Sequence, residues 1–168
     1  MTDAERTGRG VLVYGSLLDP AELEATLSPG TVAEAIPVTV EGYRRSFNKV
    51  SAHREGENGE TAICNAEPDP DARLNAVLVP DVPDAEYERY REREYRYEMV
   101  DVPTADISAY EGHDEERVAA LDERLIATSE GGLADPEPIP YYVAMCVDGA
   151  REWGEKFLAD FVVTTERV

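Results

Sequence analysis

Val11-Leu12-Val13-Tyr14-Gly15-Ser16-Leu17-Leu18-Asp19-Pro20 is the stretch on which the fold turns. Val11 to Val13 are apolar and β-favouring, and predict a short buried strand over 11–14. Asp19 is suited to cap a helix, with Pro20 at its first position and Glu22 three residues after the cap. Between them, Tyr14-Gly15-Ser16-Leu17 makes the turn. It presents consecutive backbone N–H groups, and Gly15 lets the main chain approach a bound carboxylate or oxyanion closely. A strand-turn-helix junction of this kind is a good place for a small-molecule site. The same residues also suit a plain tight connection.

Charge is the unusual feature of the whole chain. Its 168 residues include 36 acidic and 16 basic ones, a formal net charge of −20. Such a surface repels phosphate backbones, so no nucleic-acid partner is expected. Only Lys49 and Lys156 are lysines; every other basic residue is arginine. Few lysines among many carboxylates suggest adaptation to high salt, where self-repulsion is screened. Hydrophobic residues make up 42% of the chain, enough for one folded domain rather than disorder. Residues 1–9 read as a flexible polar tail and 10–168 as that domain, a monomer or homodimer. No apolar run approaches a membrane span, and Met1 to Arg6 lack a signal peptide's apolar stretch. No membrane partner is expected, and the protein reads as cytoplasmic. Cys64 and Cys146 have no ligand spacing and imply no disulfide framework.

Beyond Pro20, Leu23 and Leu27 share a helical face, and Ser28-Pro29-Gly30 ends the element. From Val32 to Val50 the pattern is extended, with Tyr43, Arg45 and Phe47 on one face. Residues 54–60 form a solvated hairpin or loop. Thr61–Ala66 and Leu74–Val79 read as two strands joined by a Pro- and Asp-rich turn. Pro83 and Asp84 open a charged helix running to about Glu94, with Tyr87, Tyr90 and Glu94 on one face. Tyr97–Val102 reads as a returning strand. Within the acidic 112–138 region, the spacing of Val118, Leu121 and Leu125 predicts a helix over 114–126. Pro140–Val147 and Glu152–Val163 read as two helices broken near Gly149. Trp153, Phe157, Phe161, Leu158 and Val162 make a core-packing stripe on the second.

Several chemistries fall away. His53 and His113 sit in polar loops with no second ligand at metal spacing, so no metal is expected. There is no Gly-x-Ser-x-Gly or Cys-His nucleophile arrangement and no phosphate loop with a following Lys. A carboxylate general base is the simplest remaining hypothesis, and Glu94 is the candidate. At a helix C-terminus it meets the negative end of the macrodipole, which disfavours ionisation. Burial beside Tyr87, Tyr90 or Tyr97 pushes the same way, towards a pKa useful near neutral pH. A solvent-facing Glu paired with a neighbouring Arg gives the same pattern, and Glu92 and Glu98 are close enough to compete for the role.

Taken together, Tyr14-Gly15-Ser16-Leu17 after the first strand and Arg93-Glu94-x-x-Tyr97-x-x-Val100-x-Val102 downstream resemble the gamma-glutamylcyclotransferase superfamily. Gly42-Tyr43-Arg44-Arg45-x-Phe47 is similar to a stretch of that superfamily, as is the end of the chain with Tyr142, Gly149-Ala150, Gly154 and Phe157 to Thr164. The resemblance implies a mixed α/β (α+β) fold around a small, partly closed β-barrel with flanking helices. It implies a cofactor-free cyclisation of a γ-glutamyl compound to 5-oxoproline with release of an amine or amino acid. Dipeptides, amines and glutathione-like thiols are all candidate γ-glutamyl substrates. In that reading Tyr14, Gly15, Ser16 and Leu17 hold the γ-glutamyl head group, and Glu94 is the general acid/base. Tyr97 orients it or contacts substrate, and Arg45 meets a carboxylate, unless Arg45 is merely a surface ion pair. The alternative is a non-catalytic module that binds a γ-glutamyl or other carboxylate metabolite on the same fold.

Overall fold

The computed structural model describes residues 6–165. Six strands form one mixed sheet: β1 (Arg9–Val13), β2 (Ile36–Val50), β3 (Ala62–Val79), β4 (Glu98–Asp101), β5 (Ile107–Ala109) and β6 (Glu123–Thr128). Their order is β4-β6-β1-β3-β2-β5, and the sheet curls into a half-barrel flanked by helices. This is the expected α+β architecture. β1 lies inside the sheet, antiparallel to β3 and parallel to β6, which explains why Val11 and Leu12 are wholly buried.

The curl comes from interruptions in the β2–β3 ladder. Glu41 pairs with Arg73, but Tyr43 pairs with Pro68, so residues 69–72 bulge out opposite Gly42. Gly42 sits at φ +90°, a conformation open chiefly to glycine. The Pro- and Asp-rich stretch expected to separate two strands is therefore a bulge within a single long strand. Asp69 accepts from the Asp71 amide at 2.9 Å, so its turn chemistry is expressed, but locally.

Helix α1 (Pro20–Thr26) starts as expected, with the Asp19 side chain accepting from the Ala21 amide at 3.1 Å. A four-residue helix, α2 (Pro29–Val32), follows where extended chain was expected from Val32. Helix α3 (Asp84–Arg93) ends at Glu94, close to its expected limits. The helix expected over 114–126 is a correction. Helix α4 spans only Glu115–Ala120, and Leu125 and Ile126 belong to β6, paired with Val11 and Leu12. The buried Arg124 side chain donates to the carbonyls of Val118 and Leu121 at 3.0 and 2.8 Å, closing the end of α4. Sheet pairing outweighs the short helical periodicity there.

Helix α5 (Pro140–Arg151) runs through Gly149 rather than breaking at it. A Cβ on Gly149 would lie 2.5 Å from the Asp19 nitrogen, so this glycine permits close packing of α5 on the 18–19 backbone. The break falls at Gly154, with φ +113°, before helix α6 (Glu155–Thr164). Phe157 and Phe161 of α6 are buried, whereas Val162 is 57% exposed and lies off the expected stripe. Of the expected tail, residues 1–5 lie outside the described residues. Thr7 Oγ1 donates to Val82 O, the Gly8 amide donates to Asp81 Oδ1, and Arg9 belongs to β1.

Candidate active site

β1 delivers the chain into a cavity of about 420 Å³ at the edge of the half-barrel. Gly15 opens a single 3₁₀ turn (Ser16–Leu18), closed by Leu18 N donating to Gly15 O at 3.0 Å. The N–H groups of Gly15, Ser16 and Leu17 find no acceptor among the described residues. Three neighbouring donors, buried and unpaired, form a concavity suited to an anion. Gly15 is required by space: a Cβ would stand 3.0 Å from Cys64 Cβ and 3.4 Å from the Tyr142 hydroxyl.

Glu94 reaches this cavity from the C-terminal end of α3, where its amide donates to Tyr90 O at 2.9 Å. Among the described residues no donor hydrogen-bonds its carboxylate, and its ion-pair partner is Arg93 Nε at 3.7 Å. Burial raises its pKa above the ordinary carboxylate value, opposed by Arg93, Arg91 and Lys49. Glu92 and Glu98 are exposed and do not line the cavity. Arg93 fixes the helix to the turn: Nη2 donates to Ser16 Oγ at 3.2 Å, and Nη1 pairs with Glu22 at 3.2 Å.

Tyrosines form the walls. Tyr97 donates to Cys64 O at 2.6 Å and Tyr14 to Ala127 O at 2.5 Å, so both phenols are anchored to backbone. The Tyr142 hydroxyl accepts from the Cys64 amide at 3.4 Å. Burial pushes the Cys64 thiol up to about 12, which leaves it a protonated, inert wall group.

Six of the seven residues singled out from sequence line this one cavity: Tyr14, Gly15, Ser16, Leu17, Glu94 and Tyr97. Arg45 does not. It has no exposed surface and lies behind the turn, donating to Tyr14 O at 2.9 Å, to Asn75 O and Oδ1, and to Thr164 Oγ1 at 3.0 Å. Its guanidinium also stacks 4.2 Å from the Phe161 ring centroid. It is neither a surface ion pair nor a cavity group; it supports the turn from behind. Sequence reasoning assigned no role to Lys49, Arg54 or Tyr142, which also line the cavity. The rarity of lysine in so acidic a chain was the one signal pointing to Lys49.

No family model matches the sequence, and no curated protein does. Solved structures do. YkqA from Bacillus subtilis superposes with a TM-score of 0.66 at 17% identity, over 92% of this chain and 52% of that one. The chain thus spans about half the length of that structure. A gamma-glutamyl cyclotransferase superposes with a TM-score of 0.63 at 13% identity, over 94% of this chain and 88% of the other. A glutathione-specific gamma-glutamyl cyclotransferase from yeast gives 0.57 at 16% identity, over 92% and 96%. At these identities the likeness shows a shared fold.

Proposed function

On this gamma-glutamylcyclotransferase-like fold, we propose that the cavity cyclises a γ-glutamyl compound to 5-oxoproline. The observation that carries the reading is the meeting of Glu94 with the unpaired N–H groups of Gly15 to Leu17 in one cavity. A buried carboxylate with a raised pKa can take a proton from an ammonium group near neutral pH and hand it on.

The γ-glutamyl head group lies with its carbonyl oxygen towards the turn. Glu94 takes the α-ammonium proton, and the freed amine attacks the γ-carbonyl carbon. The new C–N bond closes the five-membered ring, and negative charge gathers on the oxygen facing the N–H groups. Such donors contribute about a hundred- to a thousandfold in rate. Collapse breaks the original C–N bond while Glu94 returns its proton to the leaving nitrogen, a contribution of about 10²–10⁴. One C–N bond forms and one breaks, with no change of oxidation state. Holding amine and carbonyl in attack geometry supplies the rest.

The test is 5-oxoproline release from a panel of γ-glutamyl compounds, with wild type and Glu94→Gln. The expected result is turnover that falls about 10²–10⁴-fold in the variant while circular dichroism stays native. Undiminished turnover in Glu94→Gln would remove the base from the mechanism. Saturable binding without turnover by either protein would make the chain a binding module.

A further inference from the structure

At this cavity the charge balance of the chain is reversed. Among the described residues its wall carries four of the 16 basic side chains, Lys49, Arg54, Arg93 and Arg96, against one of the 36 acidic ones, Glu94. Arg93 is engaged by Glu22 and Glu94. The other three form no ion pair with any described carboxylate. In a protein of net charge −20, leaving three cations without carboxylates around one cavity keeps them available to an anion from solution.

Their positions are set by the walls of the site. Lys49 Nζ stands 4.7 Å from the ring centroid of Tyr97, and Arg54 Cζ stands 5.4 Å from that of Tyr142. Arg96 is held by a 2.8 Å hydrogen bond from Nη1 to Val50 O. The cavity also has a direction. Tyr14 to Leu17 are buried at one end, whereas Val50, Tyr95 and Tyr141 at the other are 39%, 58% and 49% exposed. With the head group on the turn and the scissile carbonyl at Glu94, the leaving group extends towards that open, cationic end.

A neutral or cationic leaving amine would leave these charges unanswered or repelled, whereas an amino acid brings its own carboxylate to them. We propose that the open end is a carboxylate subsite, with Lys49 and Arg54 its principal ligands, and that the substrates are γ-glutamyl amino acids rather than γ-glutamylamines. The inference rests on the cyclisation reading, which supplies the orientation. Val50, Tyr95 and Tyr141 give the same end an apolar surface suited to an apolar amino-acid side chain.

The test uses substrate pairs that differ only in the carboxylate: γ-glutamylalanine with γ-glutamylethylamine, and γ-glutamylphenylalanine with γ-glutamylphenethylamine. Release of 5-oxoproline is measured for wild type, Lys49→Gln, Arg54→Gln and Arg54→Glu. Binding of the same pairs is measured by calorimetry in each of these proteins and in Glu94→Gln. All assays use one salt concentration at which circular dichroism shows every protein folded. Both members of a pair share the same base, so their ratio is insensitive to any change in Glu94 itself. Wild type is expected to favour the carboxylate member by about tenfold or more, in kcat/KM and in Kd, as a charge-assisted contact requires. The ratio falls towards one in the two Gln variants, and Arg54→Glu shifts preference towards γ-glutamylcadaverine, with its free ammonium.

Equal handling of both members by wild type would overturn the subsite and leave cyclisation standing. A preference that survives every substitution would overturn the assignment to Lys49 and Arg54. Carboxylate-selective binding without 5-oxoproline from any substrate would uphold the subsite and overturn cyclisation. Neither binding nor turnover would overturn both.

Discussion

Arg93 Nη2 donates to Ser16 Oγ at 3.2 Å across 77 residues of sequence. That contact couples the end of α3, which carries Glu94, to the turn that carries the N–H groups. A general base and an oxyanion site are useful only at a fixed separation, and Arg93 is the side chain that bridges them.

Arg93→Gln is therefore expected to lower kcat/KM for 5-oxoproline formation by about 10–100-fold, in keeping with the cost of misplacing reacting groups. Arg93 also holds the Glu94 pKa down. Its loss moves the acid limb of the kcat/KM–pH profile to higher pH. A purely structural role would lower the rate without moving that limb, so the profile separates the two.

Glu94→Gln is expected to be more stable than wild type at neutral pH. Burial raises the folded-state pKa of Glu94 above its unfolded value. Between those two values the folded protein binds more protons than the unfolded one, so stability falls as pH rises through that window. Glutamine carries no such slope. Urea denaturation across pH should show the variant's advantage at neutral pH and its disappearance at acid pH, below the unfolded carboxylate's pKa.

Arg45 is predicted to matter for the fold before it matters for chemistry. Burial pushes its guanidinium pKa down to about 10, yet the group keeps acceptors on β1, β3 and α6. Arg45→Met strands the carbonyls of Tyr14 and Asn75, and each buried group left without a donor costs about 1–3 kcal/mol. A large drop in the urea midpoint is expected, and Arg45→Lys should recover only part of it, because an ammonium lacks the planar fork. Wild-type stability in Arg45→Met would refute the support role.

Gly149→Ala and Gly30→Ala make a matched pair. At Gly149 a Cβ meets the Leu18–Asp19 backbone, whereas at Gly30 nothing lies within 4 Å. The first is expected to lower the thermal midpoint by several degrees and to displace the turn's last residues; the second leaves the midpoint unchanged or slightly raised. Equal midpoints would show that α5 can move away from the turn at no cost.

Local chemistry made much of this legible in advance. The strand before Tyr14, the Asp19 cap, the length of α3 and the placing of Glu94 at its end all follow from neighbours in sequence. Where reading failed, a distant segment had overruled a local signal. Leu125 and Ile126 keep a helical spacing with Val118 but join β1 in the sheet. Gly149 resembles a helix breaker but is needed for the approach of another backbone.

The sequence by itself determined the apolar strands, the caps, the excess of carboxylates and the residue types able to take a proton or cradle an anion. These are properties of short windows, fixed by side-chain shape and backbone preference. Tertiary structure alone decided which of many charged side chains are buried and which face each other. It drew Arg45 behind the turn, set Glu94 beside it, and gathered Lys49, Arg54 and Arg96 around the same cavity. Burial and through-space distance set the strength of a charge, and neither is a property of any one stretch of chain.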